Sequence, residues 1–116
     1  MQKFEILYLK HIKDECDFII KHSNNLEEED FFKNEVLQKA FVRSLEIIGE
    51  ATKKVDSDFK SKYYIIPWKE MAGMRDKLIH DYTGVDYILV WETIKNNIPE
   101  LEFQINEIIL EYNSTI

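Results

Sequence analysis

The strongest constraint on how this chain can fold is a long run of apolar residues at helical spacing. Phe32, Val36, Leu37, Ala40, Phe41, Leu45, Ile48, Ala51 and Val55 recur at steps of three and four and form one broad stripe. Arg43, Glu46 and Glu50 fall on another side of the same helix, also three and four residues apart. A second stripe lies near the start, where Ile6, Leu9, Ile12, Cys16, Ile19 and Ile20 keep the same period. With only three glycines and two prolines in 116 residues, the chain has too few turn-formers for an all-β fold with many hairpins.

The spacing predicts a first helix over Phe4–Lys21, ended by Ser23-Asn24-Asn25, with Asn24 or Asn25 capping the next helix. Glu27, Glu28 and Glu29 then complement the dipole of that long second helix, Leu26–Val55. Residues 56–67, DSDFKSKYYIIP, read as a connection, with Tyr63–Ile66 extended because the residue before Pro67 avoids helical geometry. Pro67 sits where a third helix, Trp68–Tyr82, would begin, and Gly84 would end it. Asp86 is a cap for a fourth helix carrying Ile88, Leu89, Trp91 and Ile94; Pro99 interrupts, and Leu101 to Leu110 form a fifth. The expected fold is all-α, an up-and-down bundle of about five helices, in a single domain spanning residues 1–116.

Several functional classes are disfavoured. No run of about 18 uncharged apolar residues exists to cross a membrane, and charges interrupt the N-terminal stretch where an export signal needs apolar residues. Cys16 is the only cysteine, so no internal disulfide forms, and a reducing cytoplasm is the expected location. A net charge of −7 argues against broad, sequence-blind nucleic-acid binding, though not against a small positive cleft, especially one shared by two subunits. His11, Asp14, Glu15, Cys16 and His22 lack the spacing of a thiolate-imidazole metal site, and no phosphate-binding glycine loop is present. Neither a metal nor a cofactor is expected.

The chemistry gathers in MRDKLIHDYTGVD, residues 74–86, which holds Arg75, His80 and Tyr82 on an apolar frame of Met74, Leu78 and Ile79. On a continuous helix Arg75 falls within the apolar stripe, so its guanidinium must be paired or must reach a cleft along its stem. Glu46 and Glu50 are the candidate partners. Read singly, Arg75 is a structural ion pair, His80 a surface histidine near a helix end, and Tyr82 a packing residue. Five residues separate Arg75 from His80, about 140° around a regular helix, so they share a face only if the helix distorts or a second subunit contributes. Tyr82 lies about 20° from Arg75 on the same construction.

Arg75 to Tyr82, R-D-K-L-I-H-D-Y, resembles the R-x4-H-x-Y motif of HepT-type toxins in the HEPN superfamily. The likeness extends through R-S-L-E-I-I-G-E-A (Arg43–Ala51), I-P-W-K-E-M-A-G-M-R (Ile66–Arg75), H-D-Y-T-G-V-D-Y-I-L-V-W (His80–Trp91) and I-P-E-L (Ile98–Leu101), in order and with similar spacing. The family often has asparagine beside the arginine, where this chain has Asp76, an auxiliary polar residue that adds negative charge near any bound phosphate.

The resemblance implies a homodimeric helical bundle whose paired motifs line a cleft. It further implies a metal-independent ribonuclease with Arg75 and His80 as catalytic residues, RNA as substrate, and a minimal nucleotidyltransferase antitoxin that adds AMP to Tyr82. The residue types suit that chemistry. An imidazole, titrating near about 6.5, can take or return a proton at cellular pH, while a guanidinium holds a phosphate bidentately and stabilises growing charge. A nucleotide on Tyr82 would obstruct the phosphate site. The competing reading is a non-catalytic HEPN module that partners a nucleotidyltransferase, with Arg75 as a nucleotide or phosphate contact.

Overall fold

The two apolar stripes become the two longest helices of the computed structural model, which describes residues 3–80 and 84–114, with the backbone alone for Lys3, Phe4 and His80. Helix α1 (Lys3–Ser23) packs along α3 (Glu35–Lys53) and, elsewhere on its surface, along α8 (Ile98–Ser114). Both pairs run antiparallel. The buried Glu5 carboxylate near the start of α1 accepts from the Asp56 N–H just past α3, at 3.3 Å. At the other end Lys95, shortly before α8, donates to the Ser23 carbonyl at 3.4 Å. Leu9, Ile12 and Ile19 of α1, Phe41, Leu45 and Ile48 of α3 and Ile105 of α8 are buried in one continuous cluster. Each such side chain contributes about 1.5–3 kcal/mol when fully buried, so this cluster is the main source of stability.

The expected long second helix is two helices. Asn34 leaves helical geometry (φ −109°, ψ 90°) and its Oδ1 accepts from the Leu37 N–H at 3.0 Å, capping α3 and ending α2 (Glu28–Lys33). Asparagine offers the backbone this local alternative to a continuous helix. The break rotates the stripe: Phe31, not Phe32, enters the core, stacking on Phe41 at 6.0 Å and meeting Trp91 at 5.2 Å, while Val36 is 78% exposed. Neither Asn24 nor Asn25 caps α2, whose N-cap is Glu27 without a side-chain hydrogen bond. Asn25 instead takes a left-handed conformation (φ 63°) just beyond α1, which asparagine tolerates.

The expected connection contains a short helix, α4 (Ser57–Lys62), capped by Asp56, whose carboxylate accepts from the Asp58 N–H. Residues 63–66 turn rather than extend, and of them only Ile66 is buried. Trp68 locks that turn: its indole N–H is shared between the Tyr63 and Lys60 carbonyls, at 3.0 and 3.2 Å.

The segment that carries the chemistry differs most from expectation. Helix α5 (Trp68–Ala72) starts after Pro67 as the sequence predicts, but Gly73 interrupts it (φ −88°, ψ 4°), and α6 (Met74–Leu78) ends five residues later. Ile79 is already extended (φ −112°, ψ 116°), and β1 (Ile79–His80) pairs antiparallel with β2 (Gly84–Val85). Two forces favour the strand over more helix: Ile79 and Val85 are β-branched and directly opposed, and the Asp86 N–H donates to the Leu78 carbonyl at 2.8 Å. Asp86 also caps α7 (Tyr87–Asn96), accepting from the Leu89 N–H at 3.1 Å. Helix α8 begins at Ile98, with Pro99 inside its first turn, where a missing N–H costs nothing.

The architecture is an all-α bundle with one two-residue-per-strand hairpin, and eight helices among the described residues. No described helix is long and apolar enough to cross a membrane.

Candidate active site

Placing Arg75 begins on α3. Gly49 is buried there, and a Cβ on it would meet the Met71 carbonyl oxygen at 3.1 Å, so glycine lets the backbone of α5 lie directly on α3. That contact sets the height at which the chain breaks at Gly73 and re-enters as α6. Met74 and Leu78, one turn apart, then face the core, and Arg75 emerges beside them toward α3.

Arg75 does not lie on a buried stripe, as a continuous helix would require. The break at Gly73 resets the helical phase, and its side chain is 53% exposed. Its Nε stands 3.4 Å from Oε2 of Glu46, one of the two sequence-predicted partners; Glu50 instead lies 3.8 Å from Lys53. Nη1 is 3.9 Å from Oδ1 of the exposed Asp76. An ion pair this open to water is worth only about 0.2–1 kcal/mol, too little to explain a charged residue here as a stabiliser. Its geometric effect is larger. Glu46, half-buried on α3, occupies the Nε edge, so an oxyanion gripped in two prongs would approach the two terminal nitrogens, one of which stands within reach of Asp76.

His80 sits on β1, its backbone paired with Gly84, and its side chain lies outside the described residues. The 140° separation from Arg75 no longer applies, because the helix that imposed it ends at Leu78. The same ending removes the helical relation between Arg75 and Tyr82, and Tyr82 itself lies outside the described residues. Gly84 has φ 144°, a conformation that side chains rarely adopt, so it shapes the strand opposite His80. Gly84 is thus a strand residue and not the helix terminator that the sequence suggests. The signal for the hairpin is Ile79 and Val85, two β-branched residues on either side of His80.

The N-terminal polar cluster offers no competing site. Cys16 is buried in the core, where desolvation, then the charge of Asp17, pushes its thiol up to about 12, the reverse of what a metal-binding thiolate needs. Among the described residues no group of three or more His, Cys, Asp or Glu side chains is placed to hold a metal ion.

An antiparallel helical bundle that carries Arg75 on a short helix and His80 on the strand that follows it, within an R-x4-H-x-Y sequence, defines a class: an all-α protein of the HEPN type. The profile of the family described as Ribonuclease HepT-like matches residues 12–108. A protein of Caldanaerobacter subterraneus subsp. tengcongensis bearing the name "Putative RNase" is 57% identical over 102 residues, covering 88% of this chain and 91% of the relative. Another so named, from Methanocaldococcus jannaschii, is 51% identical over 102 residues, covering 88% and 84%. A "Probable ribonuclease HepT" of Thermococcus cleftensis is 46% identical over 95 residues, covering 82% and 86%. No solved structure matches the chain. The chain belongs to the HepT-like ribonuclease family.

Proposed function

We propose that this protein is the toxin of a toxin–antitoxin pair, an endoribonuclease that cuts RNA without a metal ion. Arg75 and His80 are its catalytic residues, set in a cleft between two copies of the chain. The observation that carries this reading is the Glu46 contact on the Nε edge of Arg75, which commits neither terminal nitrogen to Glu46 and leaves only the exposed Asp76, at 3.9 Å, beside Nη1.

The reaction is built from the groups available. An RNA phosphate docks on the terminal nitrogens of Arg75. The neighbouring ribose 2′-oxygen attacks phosphorus, its proton passing to an imidazole. The bond from phosphorus to the 5′-oxygen breaks, and that oxygen takes a proton from an imidazolium. The products are a 2′,3′-cyclic phosphate and a 5′-hydroxyl end. Arg75 neutralises the charge that accumulates on the non-bridging oxygens, a contribution of about 3–4 kcal/mol for one well-placed donor. His80 is the base and acid.

The antitoxin is a minimal nucleotidyltransferase that transfers AMP to the Tyr82 hydroxyl. Tyr82 stands two residues beyond His80, so its adenylate brings a second phosphate and a base to the cleft.

One set of measurements tests the whole. Purified protein is expected to cleave RNA with and without chelator, leaving cyclic-phosphate ends, while His80→Ala stays folded and inactive. Cleavage by His80→Ala at the parental rate would remove His80 from catalysis and leave the non-catalytic binding module as the better reading. Co-expression with the nucleotidyltransferase should add the mass of one AMP unit at Tyr82; addition at another tyrosine would overturn the regulatory assignment.

A further inference from the structure

Arg43 stands one turn before Glu46 on α3 and is exposed. On one flank lies Arg75, reached through Glu46. On the other a groove of about 280 Å³ opens between α1 and α3, floored by Ile47 and Ala51. Its walls carry Tyr8 and His11 from α1, and Arg43, Glu50 and Lys54 from α3 and its C-cap.

The balance of charge in this groove runs against the rest of the chain. The protein holds 22 acidic residues against 15 lysines and arginines. Lys13, Lys33, Lys39 and Lys53 each pair with an acidic residue on their own helix. Arg43 and Lys54 make no ion pair among the described residues, a state they share with Lys10, Lys21, Lys60, Lys69 and Lys77, and the one acidic group of the groove, Glu50, is engaged by Lys53. Between these two cations lies about 16 Å of helix, enough to meet more than one phosphate of an extended strand. The half-buried Tyr8, packed against the core, offers an aromatic surface beside them. A cationic groove with an aromatic wall is the arrangement that tracks single-stranded nucleic acid: charges follow the phosphates and a ring stacks a base.

We propose that this groove binds the single-stranded RNA flanking the cleaved phosphate, with Arg43 and Lys54 on its phosphates and Tyr8 stacking a base. The inference rests on the ribonuclease reading of Arg75 and extends it across α3. The strand lies on Arg75, crosses α3 at Arg43, and descends between α1 and α3. Glu46 and Glu50 hold Arg75 and Lys53 and so leave the path itself to unpaired cations.

The test compares the full chain with Arg43→Gln/Lys54→Gln and Tyr8→Leu, which keeps an apolar side chain against the core. Binding is read with a fully 2′-O-methyl oligoribonucleotide, which lacks the nucleophile, and cleavage with the unmodified RNA. The double variant should bind about tenfold more weakly and lose about 1.4 from the slope of log K against log salt, two single-strand phosphate contacts. KM should rise with it, while kcat at saturating RNA stays within about twofold. Tyr8→Leu should weaken binding about tenfold and leave the salt slope unchanged, because stacking releases no counterions. Unchanged affinity and slope in both variants, with His80→Ala still abolishing cleavage, would overturn the groove and leave the catalytic reading standing. A double variant that changes its mass in solution would also overturn it, by making the groove a contact between copies. A parent that binds the oligonucleotide through the groove yet cleaves nothing would keep the groove and reject the nuclease.

Discussion

Glu46 and Arg75 lie 29 positions apart in the chain, on different helices, and meet through one 3.4 Å contact, so their coupling can be read by changing either side. Glu46→Gln keeps the side-chain shape and removes the charge that holds the Nε edge. The guanidinium then samples more rotamers, and cleavage should fall about tenfold in kcat, with melting shifted little because an exposed pair contributes so weakly. Parental kcat in that variant would show that Arg75 needs no guide. Cys16 makes a separate prediction. Its thiol is pushed up to about 12 by burial, so thiol reagents at pH 8 should find none in the native protein and one after denaturation. The same burial sets the sign of its effect on stability. As pH rises above 9, the unfolded chain gives up this proton before the folded one does, and stability should decline through the alkaline range. Native labelling at the denatured rate would mean that the core around α1 opens readily.

At the scale of elements, the hairpin after α6 carries His80, so the proposed site depends on it while the bundle does not. Gly84→Ala places a Cβ at φ 144° with no atom within 4 Å, so its cost is backbone strain alone, about 1–3 kcal/mol, concentrated on two short strands. Helical circular dichroism should stay parental while cleavage is lost; retained cleavage would mean that His80 does not need the strand. The same contrast separates what the sequence makes legible from what it hides. The packed faces of α1 and α3, the cap at Asp86 and the start at Trp68 each depend on residues adjacent in sequence, and local pattern shows them. The break at Gly73 and the end at Leu78 depend on partners elsewhere: Gly49 admitting the Met71 carbonyl, and Val85 opposing Ile79. The site is legible to the same extent. Glu46 can be named as a partner of Arg75 because it lies on the polar face of a stripe. The relation of His80 to Arg75 cannot be read, since the period used to measure it stops before His80.

For the whole molecule the question is why so acidic a chain should present Arg75 in the open. With a net charge of −7, long-range repulsion opposes RNA, and the binding energy of the proposed site must come from a few local contacts. A guanidinium 53% exposed interacts with phosphate through water, where one pair at contact is worth about 1 kcal/mol. Excluding that water strengthens the same contact severalfold, and in the proposed two-chain cleft a second copy set against the α6–hairpin edge would supply the missing wall. Activity should therefore depend on association. Specific activity is expected to hold constant at high concentration and to fall on dilution, with the same midpoint as the dimer-to-monomer transition followed by sedimentation. Substitutions that weaken the dimer should shift both midpoints together without touching Arg75 or His80. Specific activity that stays constant while the sedimenting species halves in mass would place the complete site within one chain, and Arg75 would then have to work in water with Glu46 as its only guide.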